Sequence, residues 1–245
     1  MAGEADANIR QWMQDNGKDA CYNAVAGGRL DILQWARANN YPFGKNLCAY
    51  AAEKDNIEMV KWLHANGCPA DEFVCYWASY HGDLELLQWA LAAGCPHFGG
   101  KKTCAQAAEY GHLEMVRWMT TSGFAQWTAP IATAIAKSGS LELMQMAHAA
   151  GCPWDETACA AAAEHGHLEL LQWMHAHGCP WDTTTCTMAV SSRRLETLQW
   201  VRSRGCPWDI NAYWWAKADG TQGLWEWVEA NWDLPIWFPT EAGEE

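Results

Sequence analysis

Eleven cysteines and nine histidines are the side chains of this 245-residue chain that could ligate zinc, form disulfides or move protons. Six cysteines (Cys21, Cys48, Cys75, Cys104, Cys159 and Cys186) form one regular series, and five (Cys68, Cys95, Cys152, Cys179 and Cys206) form a second. Other steps of the two series carry Tyr41 and Phe124, or Ala132 and Tyr213. A slot that accepts Tyr, Phe or Ala is filled for volume, and a buried thiol behaves as a small apolar group. The spacing C-x6-C recurs at Cys68/Cys75, Cys152/Cys159 and Cys179/Cys186. One disulfide per step is therefore the alternative, disfavoured in a reducing compartment. The histidine pairs His165/His167 and His175/His177 could hold a metal, but they track no recurring ligand set. A G-x-S-x-G elbow, a phosphate loop, H-E-x-x-H and a Rossmann fingerprint are all missing from the sequence. The expectation is packing rather than reaction: no catalytic residues, no cofactor and no metal.

The regularity belongs to the whole chain. Tryptophans recur at Trp12, Trp35, Trp62, Trp89, Trp118, Trp173, Trp200 and Trp227, with Met146 filling the one gap, and most steps are 27 residues. The clearest unit runs from Gly151, G-C-P-W-D-E-T-A-C-A-A-A-A-E-H-G-H-L-E-L-L-Q-W-M-H-A-H, before G-C-P-W-D returns at Gly178. Units open near Gly17, Asn40, Gly67, Gly94, Gly123, Gly151, Gly178 and Gly205. Pro153 ends a helix, Asp155 or Thr157 caps the next, and the alanine-rich run Cys159–Glu164 suits a close-packed inner helix. Gly166 then turns the chain, and Leu168, Leu170, Leu171 and Met174 give the second helix its apolar face. Helix pairs this short must stack on their neighbours to bury a core, which predicts a solenoid.

The domain reading is residues 1–16 as an N-terminal capping half-repeat and 17–231 as eight repeats in a single domain. Residues 232–245 are read as an aromatic C-terminal cap with an acidic tail, or alternatively a docking peptide. Lys and Arg total 16 against 29 Asp and Glu, a net charge of −13. That balance repels phosphate backbones and anionic lipid, so neither nucleic acid nor membrane is the expected partner. Lacking a secretory signal and any long apolar run, the chain is expected inside the cell, in the cytoplasm or within a virion. Arg193, Arg194, Arg202 and Arg204 form the one dense basic cluster. It is expected to balance nearby carboxylates, with an acidic partner segment as the alternative.

The turn G-H-L-E at Gly111–Glu114 and Gly166–Glu169, following a T-x-C-A-x-A-A-like helix, resembles the ankyrin repeat. The resemblance covers roughly residues 17–230, and the G-C-P-W-D form looks like the shortened repeats of giant DNA viruses and unicellular algae. Ankyrin repeats run to about 33 residues; the missing residues fall where the family places a β-hairpin finger. The resemblance thus implies an all-α, ankyrin-like helix-turn-helix solenoid with short loops in place of fingers. It implies a non-enzymatic protein-protein interaction module that binds through a concave inner-helix face, in a chain expected to be monomeric alone. Within that face the freely varying inner-helix positions put Tyr50, Trp77, Tyr80, His81, Gln106 and Tyr110 in one patch, the candidate partner site. A structural subunit docking through its Trp-rich C-terminal end or loops is the alternative, and a redox or zinc-binding protein a more distant one. The outer-helix tryptophans and the alanines at 24, 51, 78, 107, 162, 189 and 216 are expected to be core, and Trp154, Trp181 and Trp208 to stack loop on loop.

Overall fold

The computed structural model describes residues 2–233, with the side chains of residues 2–5 excepted. Among the described residues every regular element is helical. The chain divides into two compact units, 1–125 and 126–245. The first holds α1 (Ala2–Asn16), α2 (Ala20–Ala26), α3 (Leu30–Ala38), α4 (Leu47–Glu53), α5 (Ile57–Ala65), α6 (Glu72–His81), α7 (Leu84–Ala92), α8 (Gly100–Glu109) and α9 (Leu113–Thr121). The second holds α10 (Ala129–Ser138), α11 (Leu141–Ala149), α12 (Glu156–His165), α13 (Leu168–Ala176), α14 (Thr183–Ser191), α15 (Leu195–Ser203), α16 (Ile210–Asp219) and α17 (Gln222–Asn231). In each unit an inner helix packs on the outer helix that follows it, and the inner helices also pack on one another. This is an all-α, ankyrin-like helical repeat fold.

A left-handed turn joins the two helices of each pair. It is at positive φ in every pair, usually on glycine, as at Gly82 (φ 78°) and Gly166 (φ 76°). Asp55 (φ 55°) and Arg193 (φ 59°) occupy the same turn without glycine, a conformation that costs an L-residue about 1–2 kcal/mol. At the inner-helix start, Asp71, Asp155, Asp182 and Asp209 each accept a backbone N–H two residues on. Asp155 rather than Thr157 is therefore the cap, because its carboxylate reaches one of the donors a helix start leaves unpaired.

The core is aliphatic and small. The alanines at 24, 51, 78, 107, 162, 189 and 216 are fully buried, as expected. Opposite them, Ile32 and Leu33, Met59 and Leu63, Leu86 and Leu87, and Leu170, Leu171 and Met174 fill the outer-helix side. The tryptophan series differs from its expectation: Trp35, Trp62, Trp89, Trp118, Trp173 and Trp200 are half-buried. The indole is too large for the narrow space between short helices, so it lies along the outer flank with an edge in water. Trp154 and Trp181 do not stack on each other either. Each lies flat on a histidine of the preceding outer helix, His148–Trp154 at 4.6 Å and His175–Trp181 at 3.8 Å between centroids. Each also meets the next outer-helix tryptophan edge-on. Arg202 takes the histidine's place over Trp208, at 4.1 Å.

Candidate functional site

α4, α6 and α8 lie side by side in the first unit, each inner helix packed on the next. Their buried faces carry the alanines and cysteines, so the larger side chains must project the other way. Tyr80 on α6 and Tyr110 just after α8 close to 4.5 Å between ring centroids, and both are exposed, 36% and 48%. Trp77 adds an edge contact to Tyr80 at 5.3 Å and lies along the His81 ring. Tyr76 and Phe73, one turn earlier, extend the same ring chain to Phe98. Partial burial, then the neighbouring Tyr80, pushes the Tyr110 hydroxyl above its ordinary range, which favours its neutral form.

The six expected residues thus sort by geometry. Trp77, Tyr80, His81 and Tyr110 form one continuous cluster. Tyr50 stands apart on α4, against Tyr22 at 5.5 Å. Gln106 is half-buried on α8, and among the described residues no side-chain hydrogen bond ties it to the cluster. His81 also joins two helices: its Nε2 donates to the Glu53 carbonyl at 3.0 Å, anchoring α6 to α4. A carbonyl only accepts, so that nitrogen carries the proton.

Tyr22, Phe73 and Tyr76 lie outside the six positions that the sequence singles out. Tyr22 and Tyr76 each follow a series cysteine directly, at a position held elsewhere by Ala49, Ala105, Thr133, Ala160, Thr187 and Trp214. That alternation of large and small is a usable signal. A cleft of about 320 Å³ opens between α2, α4 and α6, lined by Tyr22, Asn46, Ala49, Tyr50, Glu53, Phe73 and Trp77.

The cysteines and the basic cluster serve the scaffold. All eleven cysteines are buried, and none is in a disulfide. The sequence pairs at C-x6-C are not the neighbours. Helix cysteines meet the loop cysteine of the following repeat, Cys48 with Cys68, Cys159 with Cys179 and Cys186 with Cys206. The thiols of Cys68, Cys152, Cys179 and Cys206 donate to a carbonyl 24 residues back, at 3.4–3.8 Å. Loop cysteines therefore bond as well as fill volume. Burial pushes Cys75 up to about 12 and Cys152 up to about 11, which suppresses the reactive thiolate. Among the described residues no group of three or more His, Cys, Asp or Glu could hold a metal ion. Arg193 pairs with Asp219 and Arg194 approaches the Glu164 carbonyl, contacts between neighbouring repeats, while Arg202 pairs with Asp233 just beyond the last repeat.

Trp232 and Asp233 turn back onto Trp208, whose Nε1 donates to Asp233 at 2.6 Å while the Trp232 ring lies 4.7 Å away. The rest of the expected C-terminal cap or docking peptide, 234–245, lies outside the described residues. No described helix is long and apolar enough to cross a membrane.

Compared with known families, residues 48–91 match the model for ankyrin repeats (many copies). The matched span runs from α4 through α7 and contains Tyr50, Trp77, Tyr80 and His81. No curated protein matches the chain.

Proposed function

Since this chain is an ankyrin-repeat protein, we propose that it is a non-enzymatic module that binds another protein through the inner-helix face of its first unit. Ankyrin repeats in general mediate protein-protein interaction. The observation that carries the finer reading is the Trp77–Tyr80–Tyr110 cluster, three large rings held in contact at a surface. Solvent-exposed aromatics leave apolar area in water without serving the core, and rigid rings of this kind dominate binding hot spots because little side-chain freedom is lost on contact. The net charge of −13 favours a protein over a nucleic acid as the occupant. In this reading 1–16 caps the first repeat, 17–231 are eight repeats, and the protein acts inside the cell.

The test is a crosslinking capture from the source cell with wild type and a Tyr80→Ser/Tyr110→Ser variant, after melting curves establish equal folding. These two side chains are exposed, so the variant should keep its fold. A partner held by wild type and lost by the variant supports the inner-helix face; a partner retained by both moves the binding surface elsewhere.

A further inference from the structure

We propose that the cleft between α2, α4 and α6 receives a lysine or arginine side chain from a basic segment of the partner. This rests on the reading of the chain as an interaction module and specifies what one part of its inner-helix face recognises. Four rings, Tyr22, Tyr50, Phe73 and Trp77, line the cleft, and Glu53 is its one charged lining residue. An aromatic face carries negative charge density, so rings around a pocket attract a cation, and a carboxylate adds a charged acceptor for its N–H groups. An acidic side chain would meet Glu53 as a like charge. A purely aliphatic one would take water from Glu53 and Asn46 and return no hydrogen bond.

The chain already shows a cation using these groups. Lys54 Nζ sits 4.9 Å from the centre of the Tyr50 ring and 3.0 Å from Glu53 Oε1. That hydrogen bond holds the Lys54 ammonium above its ordinary range. Lys54 itself does not line the cleft, but it holds Tyr50 and Glu53 and so competes for them. Tyr22 is positioned by the loop after α3: a methyl group added at Gly44 would fall 2.5 Å from the Tyr22 hydroxyl oxygen. The cleft wall is thus built by close approach rather than left by loose packing. The overall excess of carboxylates makes a basic segment the complementary partner.

Labelling the full chain with fluorotyrosine gives a fluorine resonance for each of its seven tyrosines, assigned by single Tyr→Phe changes. Short Gly/Ser peptides with a central Lys, Arg, norleucine or Glu are then titrated in. The expected result is saturable shifts of Tyr22 and Tyr50 with the Lys and Arg peptides, at concentrations about tenfold below those norleucine requires. Glu53→Gln should weaken that binding about tenfold. Lys54→Gln should strengthen it, because the internal competitor is gone. Equal or better binding of the norleucine or Glu peptide overturns the proposal, as does weaker binding after Lys54→Gln or no shift with any peptide. Shifts confined to Tyr80 and Tyr110 also overturn it, while leaving the inner-helix face standing as the partner surface.

Discussion

His112 reaches back across a whole repeat to Tyr80: its Nε2 donates to the Tyr80 carbonyl at 2.8 Å. The same bond recurs from His167 to the Lys137 carbonyl, at 2.9 Å, and Arg194 extends its Nε toward the Glu164 carbonyl at 3.5 Å. His81 serves Glu53 likewise from two positions earlier in its own turn, just before the glycine rather than just after it. Each acceptor lies at the end of an inner helix, where carbonyls have no partner within the helix. The histidine of G-H-L-E is thus a fastener between repeats.

The fastener needs a glycine beneath it. A Cβ on Gly82 would fall 2.5 Å from His112 Nδ1, whereas a Cβ on Gly111 meets nothing within 4 Å. Both glycines hold positive φ, 78° and 77°. Gly111→Ala should therefore cost about 1–2 kcal/mol of backbone strain alone, and Gly82→Ala more. Adding His112→Ala to Gly82→Ala should recover part of the excess, a coupling of about 0.5–3 kcal/mol. Urea unfolding of the four proteins measures this, and strict additivity would refute it.

Alkaline pH should destabilise the fold through its buried thiols. The Cys75 thiol rises to about 12 when folded, against about 8.5 in an unfolded chain. Its contribution is complete below the unfolded value and is lost as pH climbs toward the folded one. By pH 10 the loss from Cys75 alone is on the order of 2 kcal/mol. Cys75→Ala should flatten the fall in urea stability between neutral and alkaline pH; an unchanged slope would exclude this thiol as a contributor.

Acid acts on Asp233 in the opposite direction. The hydrogen bond from Trp208, then the charge of Arg202, holds its carboxyl below the ordinary carboxylate range. Stability from this group is present above the unfolded value of about 3.9 and disappears as pH drops through the lower folded value. The carboxylate is largely exposed, so the effect is small. Asp233→Asn should reduce the pH dependence of the melting temperature below pH 4, and the shift should shrink in high salt.

The flat stack of His148 on Trp154 should register as a coupled pair. Single changes His148→Ala and Trp154→Ala, with the double change, define a cycle whose interaction energy is expected at about 0.5–1.5 kcal/mol. A value near zero would mean that the rings merely lie near each other.

The helix pairs, their turns and the alanine core are legible in the sequence because each rests on a local rule repeated many times. Gly166 and Asp155 do the same job in one unit as Gly82 and Asp71 do in another. What is not legible depends on distance between repeats. C-x6-C looks like a pair along the chain, but the backbone turns Cys152 toward Thr128 and leaves Cys159 for Cys179. Trp154 and Trp181 look like one stack because they share a slot. The slot six residues earlier, filled by His148, His175 and Arg202, is what each loop ring covers. Of the candidate site, Trp77, Tyr80, His81 and Tyr110 assemble as the varying positions suggest. Tyr22 and Phe73 belong to none of those three positions, and Gly44, which seats Tyr22, lies in a loop whose path the repeat pattern does not set.

The backward reach of His81, His112, His167 and Arg194 also sets an order in time. A ribosome releases the chain from its N-terminus, so these four inner helices emerge with their last carbonyls answered by water. The side chain that replaces that water is made only 28 to 32 residues later. The nascent chain is therefore always one repeat behind itself: what has been synthesised most recently is unfinished, and it is completed by what comes next.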